Sequence, residues 1–154
     1  MKKLIVIALA VVMALSLVVV LAACEGEKTY DGEYSYAHPY GVEGKTYGAK
    51  VHVTVKGGVI MSVTVDADTE DYFNLTDSWT SKQTWIDGQE AFLKSFEGMT
   101  VKELKAIKVA CNEKGVPNEN GITELPADWN YVTGATQSSG RIILAMQNAL
   151  KDVK

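Results

Sequence analysis

The stretch Gly48–Val65 constrains this chain more than any other. Ala49, Val51, Val53 and Val55 alternate strictly with Lys50, His52 and Thr54, the pattern of a strand buried on one face. Lys56-Gly57-Gly58 follows, a short turn signal, and Val59-Ile60-Met61-Ser62-Val63-Thr64-Val65 returns as the partner strand. An antiparallel hairpin of this kind needs more strands and a covering layer to bury its apolar face. Asp31–Tyr36 alternates behind a turn and supplies a first strand.

The covering layer comes from the second half of the chain. Trp85–Phe96 has helical spacing at Ile86, Ala91, Phe92, Leu93 and Phe96, and Gly98-Met99 breaks it. Thr100-Val-Lys-Glu103 is a capping box that opens a short helix, expected to end in or before Asn112–Gly115. Val116–Gly121 reads as a turn-rich loop. Ser138–Val153 reads as a terminal helix, with Ile142, Ala145, Met146, Ala149, Leu150 and Val153 in one apolar stripe. Strands first and helices after imply an α+β fold, a single domain with an antiparallel sheet packed by helices.

The beginning of the chain speaks to location. Met1-Lys2-Lys3 is basic, Leu4–Ala23 is apolar with one Ser, and Leu21-Ala22-Ala23-Cys24 reads as a lipobox. Residues 1–23 are then a lipoprotein signal peptide, and Cys24 is the lipidated residue. Residues 24–30 form a polar tether, and 31–154 the folded domain. The protein is expected at the cell membrane, lipid-anchored and facing the extracytoplasmic side; an uncleaved transmembrane anchor is the alternative. Lys2 and Lys3 carry two of the positive charges, so the formal net charge of −4 becomes −6 beyond the leader. That acidity argues against nucleic acid as a partner and against an electrostatic grip on anionic lipid. With Cys24 taken by lipid, Cys111 has no intramolecular partner, and its apolar neighbours suggest a buried, inert thiol.

Chemistry concentrates in Asn130-Tyr-Val-Thr-Gly-Ala-Thr136-Gln-Ser-Ser-Gly140. Gly134 and Ala135 let another molecule approach the backbone. Thr136, Ser138 and Ser139 supply hydroxyls and candidate N-caps. The N–H groups of a helix start favour a phosphate. His38 and His52 are separated and have no Cys or His cluster around them, so no metal site is assigned. The acidic run Asp66–Ser81 does not have the spacing of a calcium-binding loop and reads as solvated. No nucleotide-binding or hydrolase motif is present.

Thr133-Gly-Ala-Thr136 resembles the S/T-G-A-T motif of the FMN-binding domain family, found in Na⁺-pumping quinone reductases, Rnf complexes and bacterial lipoproteins. The opening Asp31-Gly-Glu-Tyr34 and the phrase Lys50-Val-His-Val-Thr-Val-Lys56 through Ile60–Val65 are similar to the family too. The resemblance covers most of Asp31–Leu150. It implies FMN joined to Thr136 through a phosphoester by a flavin transferase that uses FAD. It also implies a cofactor site drawn from Thr133, Gly134, Ala135, Gln137, Ser138, Ser139, Trp129 and Tyr131, with amides of residues 137–140 at the phosphate. The implied role is a one- or two-electron carrier exchanging electrons with a membrane redox donor or acceptor, rather than a stand-alone enzyme. Asn130 stands where the family usually has Asp. The alternative is a lipoprotein of the same fold without covalent flavin, acting as a ligand-binding or surface interaction protein.

Overall fold

Three strands pair in chain order. β1 (Lys28–Ala37), β2 (Thr46–Lys56) and β3 (Val59–Val65) form an antiparallel sheet, β1-β2-β3. The computed structural model describes residues 26–37, 46–66, 82–125 and 136–154. The acidic run after Asp66 and the loop containing His38 lie outside the described residues. β1 starts at Lys28, which pairs with Val55, so residues 28–30 belong to the sheet rather than to a tether.

The hairpin matches the alternation. Ala49, Val51, Val53 and Val55 are all buried. Gly57 and Gly58 turn the chain with φ of +56° and +77°, the left-handed pair that a two-residue hairpin turn demands. One irregularity interrupts the ladder: Thr54 faces Ser62, but Val55 faces Ile60. Met61 is therefore the extra residue of a bulge. The bulge turns both Ile60 and Val63 inward although they are three apart, and leaves Met61 43% exposed.

α1 (Lys82–Lys94) buries Phe92, and Phe96 follows in the turn beyond it. Their rings meet edge to face at 5.2 Å. The chain then lies along the outer edge of β3. Ile60 N–H donates to Met99 O at 2.9 Å, Gly98 N–H donates to Ile60 O at 2.8 Å, and Val101 N–H donates to Gly58 O at 2.9 Å. An open strand edge is thereby covered.

α2 (Val101–Ala106) begins with the expected capping box. Glu103 N–H donates to Thr100 Oγ1 at 3.2 Å, and Thr100 N–H donates to Glu103 Oε2 at 2.8 Å. It stops at Ala106, before Asn112–Gly115 as expected, because Ile107 is extended (φ −61°, ψ 127°). Gln147 Nε2 donates to Leu104 O at 2.9 Å and to Ile107 O at 2.7 Å, satisfying carbonyls left over at the helix end.

Two strands then appear where a helix end and a loop were expected. β4 (Lys108–Cys111) and β5 (Pro117–Thr123) pair antiparallel, with Lys108 opposite Thr123 and Val109 opposite Ile122. The connecting turn is built on Asn112, whose Oδ1 accepts from Lys114 N–H at 2.9 Å and Val116 N–H at 3.1 Å. Pro117-Asn-Glu-Asn-Gly is a poor strand former, which is why the residues alone point to a loop. Pro117 is tolerated as the first residue of its strand.

α3 (Thr136–Ala149) is the centre of the molecule. It packs on β1 and β2 with one side and on β5 with another. Gly32 marks the first contact: a Cβ there would lie 2.1 Å from Ala145 O and 2.6 Å from Ala149 Cβ. Gly140 marks the second, where a Cβ would meet Pro117 Cβ at 2.8 Å. Helix backbone thus approaches the sheet at two glycines, one on each partner. Ile142, Ala145, Met146 and Leu150 are buried as the stripe predicts, with Ala149 and Val153 half-buried. The whole is an α+β fold.

Candidate functional site

The helix start expected at Ser138 lies two residues earlier, at Thr136. Ser, Gly and Thr are weak helix formers, so propensity favours a loop there. Packing opposes that preference at Gly140, where a Cβ would crowd Pro117 and Val109. Thr136 is the first residue of the helix among the described residues. The helix's unsatisfied N–H groups therefore lie N-terminal to Gly140, whose amide belongs to the helix interior. The positive end of the helix dipole falls on the same residues.

Gln137 is half-buried, while Ser138 and Ser139 are buried at 3% and 0% exposure. The two serines therefore sit inside the helix on its packed side, not in an open loop as caps. Thr133, Gly134, Ala135, Trp129 and Tyr131 lie outside the described residues, as does Cys24.

One residue that the sequence did not single out dominates this end. Arg141 is only 4% exposed. Its Nη2 donates to Ser138 Oγ at 2.8 Å. Its guanidinium carbon lies 5.9 Å from the centre of the Tyr36 ring and 5.6 Å from that of Tyr47. Tyr36 and Tyr47 are direct cross-strand partners, and their rings stack at 6.3 Å with planes 14° apart. A cation over aromatic faces is attracted by the ring quadrupole, more strongly where water is excluded. Burial pushes the Arg141 guanidinium below its ordinary pKa, and the neighbouring Tyr36 and Tyr47 oppose that. Arginine remains charged under such a shift. The start of α3 thus gathers a helix-dipole end, a buried positive charge and two stacked phenols. Such an arrangement suits an anion with an attached aromatic group. The signal in the sequence was the Tyr36/Tyr47 pair, which becomes visible only once the β1–β2 register is known.

Below the tyrosines, Tyr34 OH donates to Gly115 O at 2.7 Å and lies 3.7 Å from Cys111 Sγ. Burial, then the Cys111 contact, pushes the Tyr34 phenol up to about 12. Cys111 is half-buried rather than enclosed. Far from this end, Asp31 and His52 pair across the outer face of the sheet at 2.7 Å. Among the described residues, no three of His, Cys, Asp and Glu gather as a metal-binding group. No described helix is long and apolar enough to cross a membrane.

Comparison of the chain with protein-family models, with curated proteins and with solved structures returns no match.

Proposed function

We propose that this protein is a membrane-anchored, extracytoplasmic FMN carrier of the FMN-binding-domain kind, with the flavin esterified to Thr136. The observation that supports it most is the coincidence of the Thr-Gly-Ala-Thr motif with the start of α3 at Thr136. Backbone N–H groups in the first turn of a helix receive a phosphate. Arg141 adds a buried positive charge to that end of the helix, and Ser138 orients it.

Attachment is a phosphoryl transfer. The Thr136 hydroxyl attacks the FMN-side phosphorus of FAD and loses its proton. A phosphoester forms, and AMP leaves. A flavin transferase is the partner that carries this out. Bound FMN supplies one- and two-electron redox chemistry, for exchange with a membrane donor or acceptor. The chain's own part is to hold the phosphate at α3 and to place positive charge beside it. Cys24 carries the lipid that keeps the protein at the membrane.

A second reading is the same lipoprotein without covalent flavin, a ligand-binding or surface interaction protein; Asn130 favours it. Intact-mass measurement of the chain incubated with FAD, with and without a flavin transferase, separates the two. The first reading expects a gain of one FMN that maps to Thr136 and disappears in Thr136→Ala. An unchanged mass in a folded product sinks it and leaves the second.

A further inference from the structure

At the end of α3 away from Thr136, four pieces of chain meet. Gly26 and Lys28 begin the folded part, and Lys28 pairs with Val55 beside the Gly57–Gly58 turn. Val101 N–H donates to Gly58 O, which sets α2 against that turn. Lys105 Nζ donates to Lys151 O at 3.1 Å and Val153 O at 2.6 Å, which ties α2 to the residues after α3. An open groove of about 460 Å³ runs between Gly26, Tyr30, Gly57 and Val153.

This end carries Lys28, Lys56, Lys102, Lys105, Lys151 and Lys154, all exposed. They are six of the thirteen basic residues beyond Cys24. The acids on the same segments are Glu27, Glu103 and Asp152, with Glu97 next beyond them. Glu27 lies 3.7 Å from Lys56, and Glu103 is held by the capping box. The charge of this end is therefore opposite to that of the chain. Met61, the exposed large apolar side chain among the described residues, stands on the β3 bulge close to the same turn.

We infer that this end of the domain is an interaction surface for an anionic lipid bilayer. Gly26 is two residues past Cys24, so a chain anchored there has little slack and presents this end first. Lysines near anionic headgroups are attracted over about a Debye length, roughly 8–10 Å at ordinary salt. Met61 suits the headgroup boundary. The fourteen residues of α3 then carry Thr136 about 21 Å from the lysine end, facing away from the lipid. The overall acidity, taken alone, argued against any such grip; its distribution reverses that locally. The inference rests on the proposed anchoring for its geometry.

The test uses the full chain with vesicles of phosphatidylcholine alone, or with about a third phosphatidylglycerol. Flotation is combined with mass-spectrometric reading of lysine acetylation. In anionic vesicles at low salt, Lys28, Lys102, Lys151 and Lys154 should react at least threefold more slowly than in detergent. Lys50 and Lys114 should be unchanged, and half-molar salt should remove the protection. Lys102→Glu with Lys154→Glu should remove it too, while flotation persists. Flotation with both lipids and equal acetylation of the two lysine groups overturns the surface and leaves the anchor. Flotation with anionic vesicles only keeps the surface and removes the anchor. Flotation with neither removes both.

Discussion

The two hairpins of this molecule are built in opposite ways. In the β2–β3 hairpin every determinant is local: alternating valines, a Gly-Gly turn with both φ positive, and a bulge at Met61 that corrects the facing. In the β4–β5 hairpin little is local. One strand has four residues, the other begins at Pro117, and only the turn is local, built on the Asn112 side chain, the Gly115 N–H bond to Asn112 O and a left-handed Gly115. Its place is set by Gly140 of α3 on one side and by the Tyr34 phenol on another. A hairpin of the first kind specifies itself and offers a platform. One of the second kind exists because the platform and the central helix already do.

That contrast breaks most sharply at Gly140. Gly140→Val puts methyl groups where Pro117 already stands, and overpacking of this kind costs about 3 kcal/mol. Hydrogen exchange should then accelerate across residues 108–123, while the amides of 48–65 keep most of their protection. Equal acceleration of both hairpins would show that they form one cooperative unit.

Tyr34→Phe is smaller, about 1 kcal/mol for the lost bond to the half-buried Gly115 carbonyl. It should be felt mainly at Asn112–Pro117. The same residue gives a pH test. The phenol in the fold titrates near 12, above its ordinary 10.0. Between those values the unfolded chain has released the proton and the fold has not. Rising pH therefore drains stability from about pH 10 upward, and nothing of it is lost below. Urea midpoints from pH 8 to 11.5 should fall more steeply for the native chain than for Tyr34→Phe; parallel slopes would remove Tyr34 from the account.

An effect of similar size belongs to the self-specifying hairpin. Gly57→Ala puts a Cβ on a residue with φ of +56°, in open space, at a cost of about 1 kcal/mol. The loss should appear as a uniform shift of the unfolding midpoint without local fraying, because valine packing against the core holds the register. Selective loss of protection in β3 would show that the turn, rather than the alternation, sets it.

What could be read from the residues follows the same division. The buried face of β2, the partner strand, the capping box at Thr100 and the apolar stripe of α3 are all repeating or short-range patterns, and they stand in the structure. β4 and β5 are not, since neither propensity nor period marks them. The start of α3 differs for a related reason: Gly140 leaves room for Pro117 and Val109, and propensity reads Ser138-Ser139-Gly140 as loop. Nothing in the residues alone marks Arg141, because a single arginine in a helix is ordinarily solvated. Its burial depends on Tyr36 and Tyr47, brought together by a strand register. Thr136 stands out by its motif and not by helical pattern, which puts the start at Ser138; the motif residues before it lie outside the described residues.

Gly32 carries a consequence for how this chain can vary through descent. Most packed pairs are negotiable: when one side chain grows, its neighbour can shrink. At Gly32 the opposing atom is the carbonyl oxygen of Ala145, which every amino acid possesses. No substitution at position 145 makes room, so position 32 has no compensating partner to drift with. Homologues that keep this helix against this strand should hold glycine there, even where Ala145, Ala149 and the rest of the core have been exchanged.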